Sequence, residues 1–176
     1  MDMKGATFLY TLAGLMITFA GFSALLLAVR PASGASLSTL DKYLAKTVMT
    51  HLFVLTAAAL LPALLALYDL PEPLIWRDAA VLFALPMLSL QATYPHRRRR
   101  AIGEGPPIAI LAVFVVLGAA VTLAMLAYVL EGGAFSAASY ISALTIDFFT
   151  VMFAFVVALK VILQQPLAGP KRGQRR

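Results

Sequence analysis

The chain has 176 residues, of which 61% are hydrophobic and only 12% are charged, and its mean hydropathy is +0.89. Soluble globular domains carry about a quarter charged residues, so the composition excludes that class and indicates an integral membrane protein. The chain has no cysteine, which excludes disulfides and thiolate metal sites, and its two histidines are too few for a closed metal centre. We therefore expect no metal and no cofactor.

Hydrophobic segments follow one another along most of the chain. A helix that crosses a hydrocarbon core of about 30 Å needs roughly 20 apolar residues. Five segments meet or approach this length, with predicted bounds of about 7–29, 47–68, 75–94, 108–130 and 135–163, of which the third is the shortest. They leave no room for a soluble domain. Residues 1–176 are therefore predicted to form one all-α domain, a compact transmembrane bundle, with a basic tail over 164–176.

Basic residues are distributed unevenly between the predicted connections. All but two of the 14 lysine and arginine residues, Lys4 and Arg77, fall in the first connection, the third connection or the C-terminal end. Connections rich in these residues remain in the cytoplasm, so the N-terminus is predicted outside and the C-terminus inside a bacterial-type inner membrane. The clusters with this role are Arg97, Arg98, Arg99 and Arg100 in the third connection and Lys171, Arg172, Arg175 and Arg176 in the tail.

These basic clusters are interpreted first as solvated charges that fix the topology. Anionic lipids are the second interpretation, because each basic residue near an anionic membrane surface contributes about 1 kcal/mol of attraction. A nucleic-acid partner is not expected, since no aromatic stacking surface or binding module accompanies the charges.

Asp147 lies inside the fifth predicted segment. Counting from Lys160 at the inner interface places it in the outer third of the hydrocarbon core, where a carboxylate must be paired, hydrated or protonated. Together with Tyr140 and Thr150 it lies on a small and polar helix face that should point into the bundle. Arg77, at the outer start of the third segment, could reach it as a charge partner. The hydroxyl groups at similar height belong to Tyr10, Thr11, Tyr68 and Tyr128.

His51 and Gln91 lie toward the cytoplasmic ends of their segments, so neither is expected to reach Asp147. His51 could titrate near neutral pH, although such a histidine more often makes an interfacial hydrogen bond. Small residues also recur on two segments, where they favour close helix contacts within the chain or with a partner protein. They are Thr11, Gly14, Thr18, Gly21 and Ala28 in the first segment and Gly118, Ala119 and Thr122 in the fourth.

No enzymatic motif is found. The chain has no phosphate-binding loop, no G-x-S-x-G and no H-E-x-x-H, so we expect no enzyme. The favoured function is a small integral subunit or accessory protein that docks onto another membrane protein or associates with itself. The alternative is a small oligomeric proton- or ion-coupled transporter or channel-like protein that uses Asp147.

Overall fold

The computed structural model describes residues 5–32, 38–131 and 136–164, which are helical and contain no strand. Five helices in these ranges are long and apolar enough to cross a membrane. They are α1 (Ala6–Ala32), α2 (Thr39–Ala66), α3 (Glu72–Ile102), α4 (Ile108–Leu130) and α5 (Ala137–Gln164). The predicted helical class and the predicted number of segments are confirmed, and the bounds of α4 agree with the prediction.

Helix α2 begins at Thr39, two turns before the predicted residue 47. Its first turn is closed by a capping box, in which Ser38 Oγ accepts from the Asp41 backbone N–H at 3.1 Å and Asp41 Oδ2 accepts from the Ser38 N–H at 3.0 Å. Two of the backbone donors that a helix start leaves unpaired are thereby satisfied. The predicted start was wrong because it followed the hydrophobic run alone.

Helix α3 is the longest helix rather than the shortest, since it spans 31 residues instead of the predicted 75–94. Pro71 and Pro73 lie at its N-cap and first turn, where a missing N–H removes no helical hydrogen bond. Pro95 lies inside the helix and does not end it. The helix ends at Gly103, whose positive φ of 85° places it in the left-handed conformation that glycine adopts readily. The run Arg97–Arg100 is therefore helical and not part of a loop.

Helix α4 contains a segment that the sequence did not predict. Residues Leu111–Leu117 adopt the wider π conformation, and the regular α geometry resumes at Gly118. Short π segments inside α-helices are uncommon and are frequently found at functional sites.

Helices α2 and α5 form the centre of the bundle. Helix α2 packs against α1, α3 and α5, whereas α4 packs against α3 and α5, and α1 contacts mainly α2. Ala58, Ala59, Ala79, Ala80 and Ala84 are buried where α2 and α3 meet the core, and such small side chains allow helices in a membrane to approach closely.

One end of the bundle, named the basic end here, contains the start of α2, the Arg97–Arg100 turn of α3, the start of α4 and the last turns of α5. Leu40, Arg98, Pro107 and Val157 from these four elements line a common groove. At the opposite end, Tyr128 of α4 and Ser139 of α5 line another groove. Consecutive helices thus run up and down, as five crossings require.

Candidate intramembrane polar site

Asp147 is 0% exposed and lies in the first half of α5 (Ala137–Gln164). Its Oδ2 atom lies 3.1 Å from Thr122 Oγ1 of α4. Thr122 was recognised in the sequence as a small packing residue, not as a partner of the acid. The hydrogen bond joins α4 and α5 at the level where the π segment ends.

The backbone of α4 makes room for this contact at Gly118. A Cβ atom at this position would lie 2.6 Å from Gln91 Nε2 and 3.3 Å from Asp147 Oδ1. The side chains of Gln91 and Asp147 therefore converge on the space that glycine leaves open. Gln91, which the sequence placed toward the cytoplasmic end, lies beside the same glycine as Asp147, but no hydrogen bond joins the two side chains.

The Thr122 hydroxyl group lies within hydrogen-bond distance of two oxygen atoms. Thr122 Oγ1 lies 2.9 Å from the Gly118 carbonyl oxygen and 3.1 Å from Asp147 Oδ2. A hydroxyl group has one proton to donate. Thr122 can share its proton between the two oxygens in a three-centre bond, or it can donate to Gly118 and accept from a protonated Asp147, which makes two full hydrogen bonds. This geometry fits a neutral carboxyl group, the form that costs least in a hydrocarbon core.

Tyr140 and Thr150 share the buried face of α5 with Asp147, as predicted, but neither binds its carboxyl group. Thr150 Oγ1 donates to the Asp147 backbone carbonyl at 2.8 Å. The Tyr140 hydroxyl donates to the Ala58 carbonyl of α2 at 2.7 Å, and its ring packs against Trp76. These residues fix α5 in the bundle and hold Asp147 in place.

Arg77 is not part of the site. Its side chain is exposed, and it forms no ion pair with Asp147, which is fully buried. The predicted partnership was therefore wrong. The hydroxyl candidates Tyr10, Thr11, Tyr68 and Tyr128 are also exposed.

His51 is 0% exposed and lies between Asp147 and the basic end. Its Nδ1 lies 2.8 Å from the Thr47 carbonyl and must donate there, since a carbonyl oxygen only accepts. Its ring contacts Phe114 of the π segment at 4.6 Å between centroids, and Phe114 also contacts Tyr94 of α3 at 5.2 Å. His51 is thus a core residue and not an interfacial one.

Several buried polar atoms have no hydrogen-bond partner within the described ranges. They are His51 Nε2, Gln91 Oε1, Asp147 Oδ1 and Arg97 Nε. Most buried polar atoms in proteins are paired, and one without a partner costs about 1–3 kcal/mol. These atoms belong to α2, α3 and α5. The part of the core that contains them is therefore more polar than the rest of the core. No cluster of metal-ligating side chains occurs among residues 5–32, 38–131 and 136–164.

The basic residues that were predicted to fix the topology differ in how exposed their side chains are. Arg99 and Arg100 are exposed, as solvated charges should be. Arg98 is only 6% exposed and its Nε donates to the Gly105 carbonyl at 3.2 Å, while Arg97 Nη2 donates to the Leu90 carbonyl at 2.8 Å. The interpretation of the whole run as solvated was wrong, because the run is helical. Lys171, Arg172, Arg175 and Arg176 lie outside the described residues.

The two predicted stripes of small residues, on α1 and α4, differ in their burial. Gly118 and Thr122 of α4 are buried at the polar site. The stripe of α1 is exposed at Thr11, Gly14, Thr18, Gly21 and Ala28, and nothing lies within 4 Å of a Cβ built on Gly14 or Gly21. The stripe of α1 therefore serves no contact within the described part of the chain.

Comparisons of the chain with models of protein families, with curated protein sequences and with solved structures gave no match.

We expect Gly118→Ala to lower the free energy of unfolding by about 1–3 kcal/mol, as overpacking of a filled core does. The new Cβ would press on Gln91, which is 1% exposed and has little room to move. Thermal unfolding in a mild detergent measures the change. Gly21→Ala is the matched control, and it should leave stability unchanged or raise it by up to about 1 kcal/mol, because alanine favours the helix. Equal stability of both variants would contradict the convergence of Gln91 and Asp147 on Gly118.

Proposed function

We propose that the chain is a small, non-enzymatic membrane protein that moves protons, or a solute coupled to protons, with Asp147 as the group that gains and loses the proton. The observation that carries this proposal is the convergence of Asp147, Gln91 and Thr122 beside Gly118 in the middle of the bundle. Asp147 Oδ1 and Gln91 Oε1 are buried there without partners. Ionisable groups at this depth are costly and typically belong to proton or ion pathways.

A line of polar side chains leads from the site toward the basic end. Gln91 lies one turn of α3 from Tyr94, whose ring is joined to His51 through Phe114. The Tyr43 hydroxyl donates to the Tyr94 carbonyl at 3.4 Å. These residues place polar side chains in this half of the bundle, but Phe114 lies between Tyr94 and His51 and carries no exchangeable proton, so a proton path through them requires water molecules between the side chains.

On the other side of Asp147, a groove with a volume of about 350 Å³ lies between α4 and α5. It is lined by Val121 and Ile146, the neighbours of Thr122 and Asp147 in sequence, and it extends to Tyr128 and Ser139. Its other lining residues are apolar, and Asp147 itself does not line it. The groove supports the proposal only in that it brings the surface of the bundle close to the sequence neighbours of Asp147 and Thr122.

The hydrogen-bond arrangement suggests how the proton would act on the fold. When Asp147 is protonated, it donates to Thr122, which donates to the Gly118 carbonyl. After loss of the proton, the Thr122 hydroxyl donates to the carboxylate instead, and its bond to Gly118 is lost. Gly118 directly follows the π segment, so the backbone of α4 would respond to the charge of Asp147.

We expect Asp147→Asn to abolish proton flux in proteoliposomes while the purified protein remains folded, since an amide preserves the shape and the donor but cannot release a proton at neutral pH. A pH-sensitive dye inside the vesicles measures the flux after a pH step. Glu104→Gln is the control, because it removes an exposed carboxylate at the basic end and should leave the flux intact. A parent protein without flux above that of empty vesicles, or undiminished flux in Asp147→Asn, would contradict the proposal.

The second candidate function is a docking subunit of a larger membrane complex. The specific observation in its favour is the exposed stripe of small residues on α1, which includes Gly14 and Gly21. In lipid no hydrophobic effect drives helices together, so close packing at small residues contributes much of their association. A transmembrane helix of another protein could approach α1 along this face.

If the stripe of α1 is the docking face, a double substitution Gly14→Leu and Gly21→Leu should remove a stoichiometric partner from material purified in mild detergent. The fold should persist, because both positions face outward. Ala120→Leu, at an exposed position of α4, is the matched control and should retain the partner. A partner that remains bound to the glycine variant would exclude this face. Crosslinking between two differently tagged copies would indicate self-association instead of a docking subunit.

We propose that the N-terminus lies outside a bacterial-type inner membrane and that the basic end faces the cytoplasm. The support is the positive-inside rule together with Lys42, Lys46, Arg99 and Arg100, which are exposed at this end. A single cysteine at Glu104 should be protected from an impermeant thiol reagent in intact cells, and one at Tyr68 should react. Permeabilised cells, in which both should react, provide the control. Labelling of position 104 from outside would reverse the orientation.

A further inference from the structure

A second groove, with a volume of about 160 Å³, lies at the basic end between α2, α4 and α5. Its walls are apolar and include Leu44, Ile110, Phe153 and Val157. Arg98 is the one charged side chain that lines it among the residues the structure describes. A groove of this composition fits a hydrocarbon chain along its apolar walls and an anionic group at Arg98.

Arg98 lacks a counter-charge within the described part of the chain. It is 6% exposed, its Nε donates to the Gly105 carbonyl at 3.2 Å, and its other polar contact is the side chain of Tyr94. These groups are neutral, and no carboxylate forms an ion pair with Arg98. A buried charge without an opposite charge is unfavourable. A guanidinium in this position binds phosphate oxygens through parallel hydrogen bonds, which a lysine ammonium does not reproduce.

We infer that this groove binds one acyl chain of an anionic phospholipid, whose headgroup phosphate contacts Arg98. The lipid is the occupant because the groove combines apolar walls with a cation at the depth of a helix end, which is where a phospholipid changes from chain to headgroup. The volume corresponds to about five water molecules at about 30 Å³ each, enough for a short run of methylene groups but not for a helix. The exposed Arg99 and Arg100 add positive potential at the mouth.

The test uses the full-length chain in a neutral detergent. Native mass spectrometry counts bound lipid, and thermal unfolding measures stabilisation, with phosphatidylglycerol, phosphatidylcholine and inorganic phosphate as separate additions. We expect saturable binding of one phosphatidylglycerol, weaker binding of phosphatidylcholine, and no stabilisation by phosphate alone. Arg98→Gln should weaken phosphatidylglycerol binding by about tenfold, as loss of one charge-assisted contact does. Arg98→Lys should restore part of it.

Two further variants separate this site from general surface charge. Arg100→Gln is the matched control, because it removes an exposed charge of the same run and should change binding by less than about threefold. Ala109→Trp places a large side chain at an exposed position of the groove wall and should block binding while all four arginines remain. It also tests the site if Arg98→Gln does not fold.

Three results would overturn the inference. Equal weakening by Arg98→Gln and Arg100→Gln would mean that diffuse charge binds the lipid. Stabilisation by inorganic phosphate equal to that by phosphatidylglycerol would mean that an anion binds without the groove. Unchanged lipid binding in Ala109→Trp together with a changed oligomeric state would mean that a second copy of the chain covers the groove.

Discussion

A carboxyl group in the middle of a hydrocarbon core must be neutral or neutralised, and Asp147 is subject to this constraint. Among the described residues, the side chains around Asp147 accommodate its carboxyl group without a basic partner. Thr122 supplies a hydroxyl at 3.1 Å, and Gly118 leaves the space that the carboxyl group and Gln91 occupy. The π segment of α4 (Leu111–Leu117) ends directly before Gly118. Within the described chain, the π segment therefore lies next to Asp147, the buried acid at the centre of the bundle. The packing of α3, α4 and α5 is organised around this contact.

Buried polar side chains lie on both sides of the site, but they differ in character. Toward the basic end, His51 and Tyr94 lie within the core, Tyr43 packs against it, and the run of arginines begins one turn beyond Tyr94. Toward the other end, Tyr140 and Trp76 pack closely, and a mainly apolar groove lies between α4 and α5. Such asymmetry is typical of a site that is reached by different routes from its two sides, which is the property that the proposed proton-coupled function requires.

Hydrophobic length predicted the number of helices and the bounds of α4, because each crossing of a bilayer needs about 20 apolar residues. It failed at the ends of α2 and α3, where polar residues remain helical. The signals for those ends were present in the capping box of Ser38 and Asp41 and in Gly103 after the arginine run. The site was predicted in part. The burial of Asp147 follows from its helix face, but its neighbours depend on the rotation and offset of α3 and α4, which one sequence does not specify. Arg77 was wrongly chosen for this reason.

A structural and a functional role of Asp147 are compatible in this arrangement. A neutral carboxyl group with its proton on Oδ2 can hold α4 to α5 through Thr122, while Oδ1 has no protein partner in the described chain. Release of the proton then requires an acceptor that takes it from Oδ2. An acid that served packing alone would gain stability by pairing both oxygens. An acid that served only as a solvated ion would not be fully buried. Asp147 pairs one oxygen with Thr122 and leaves Oδ1 without a partner in the described chain, near the amide of Gln91. This arrangement is compatible with the proposed role of Asp147 as a proton carrier.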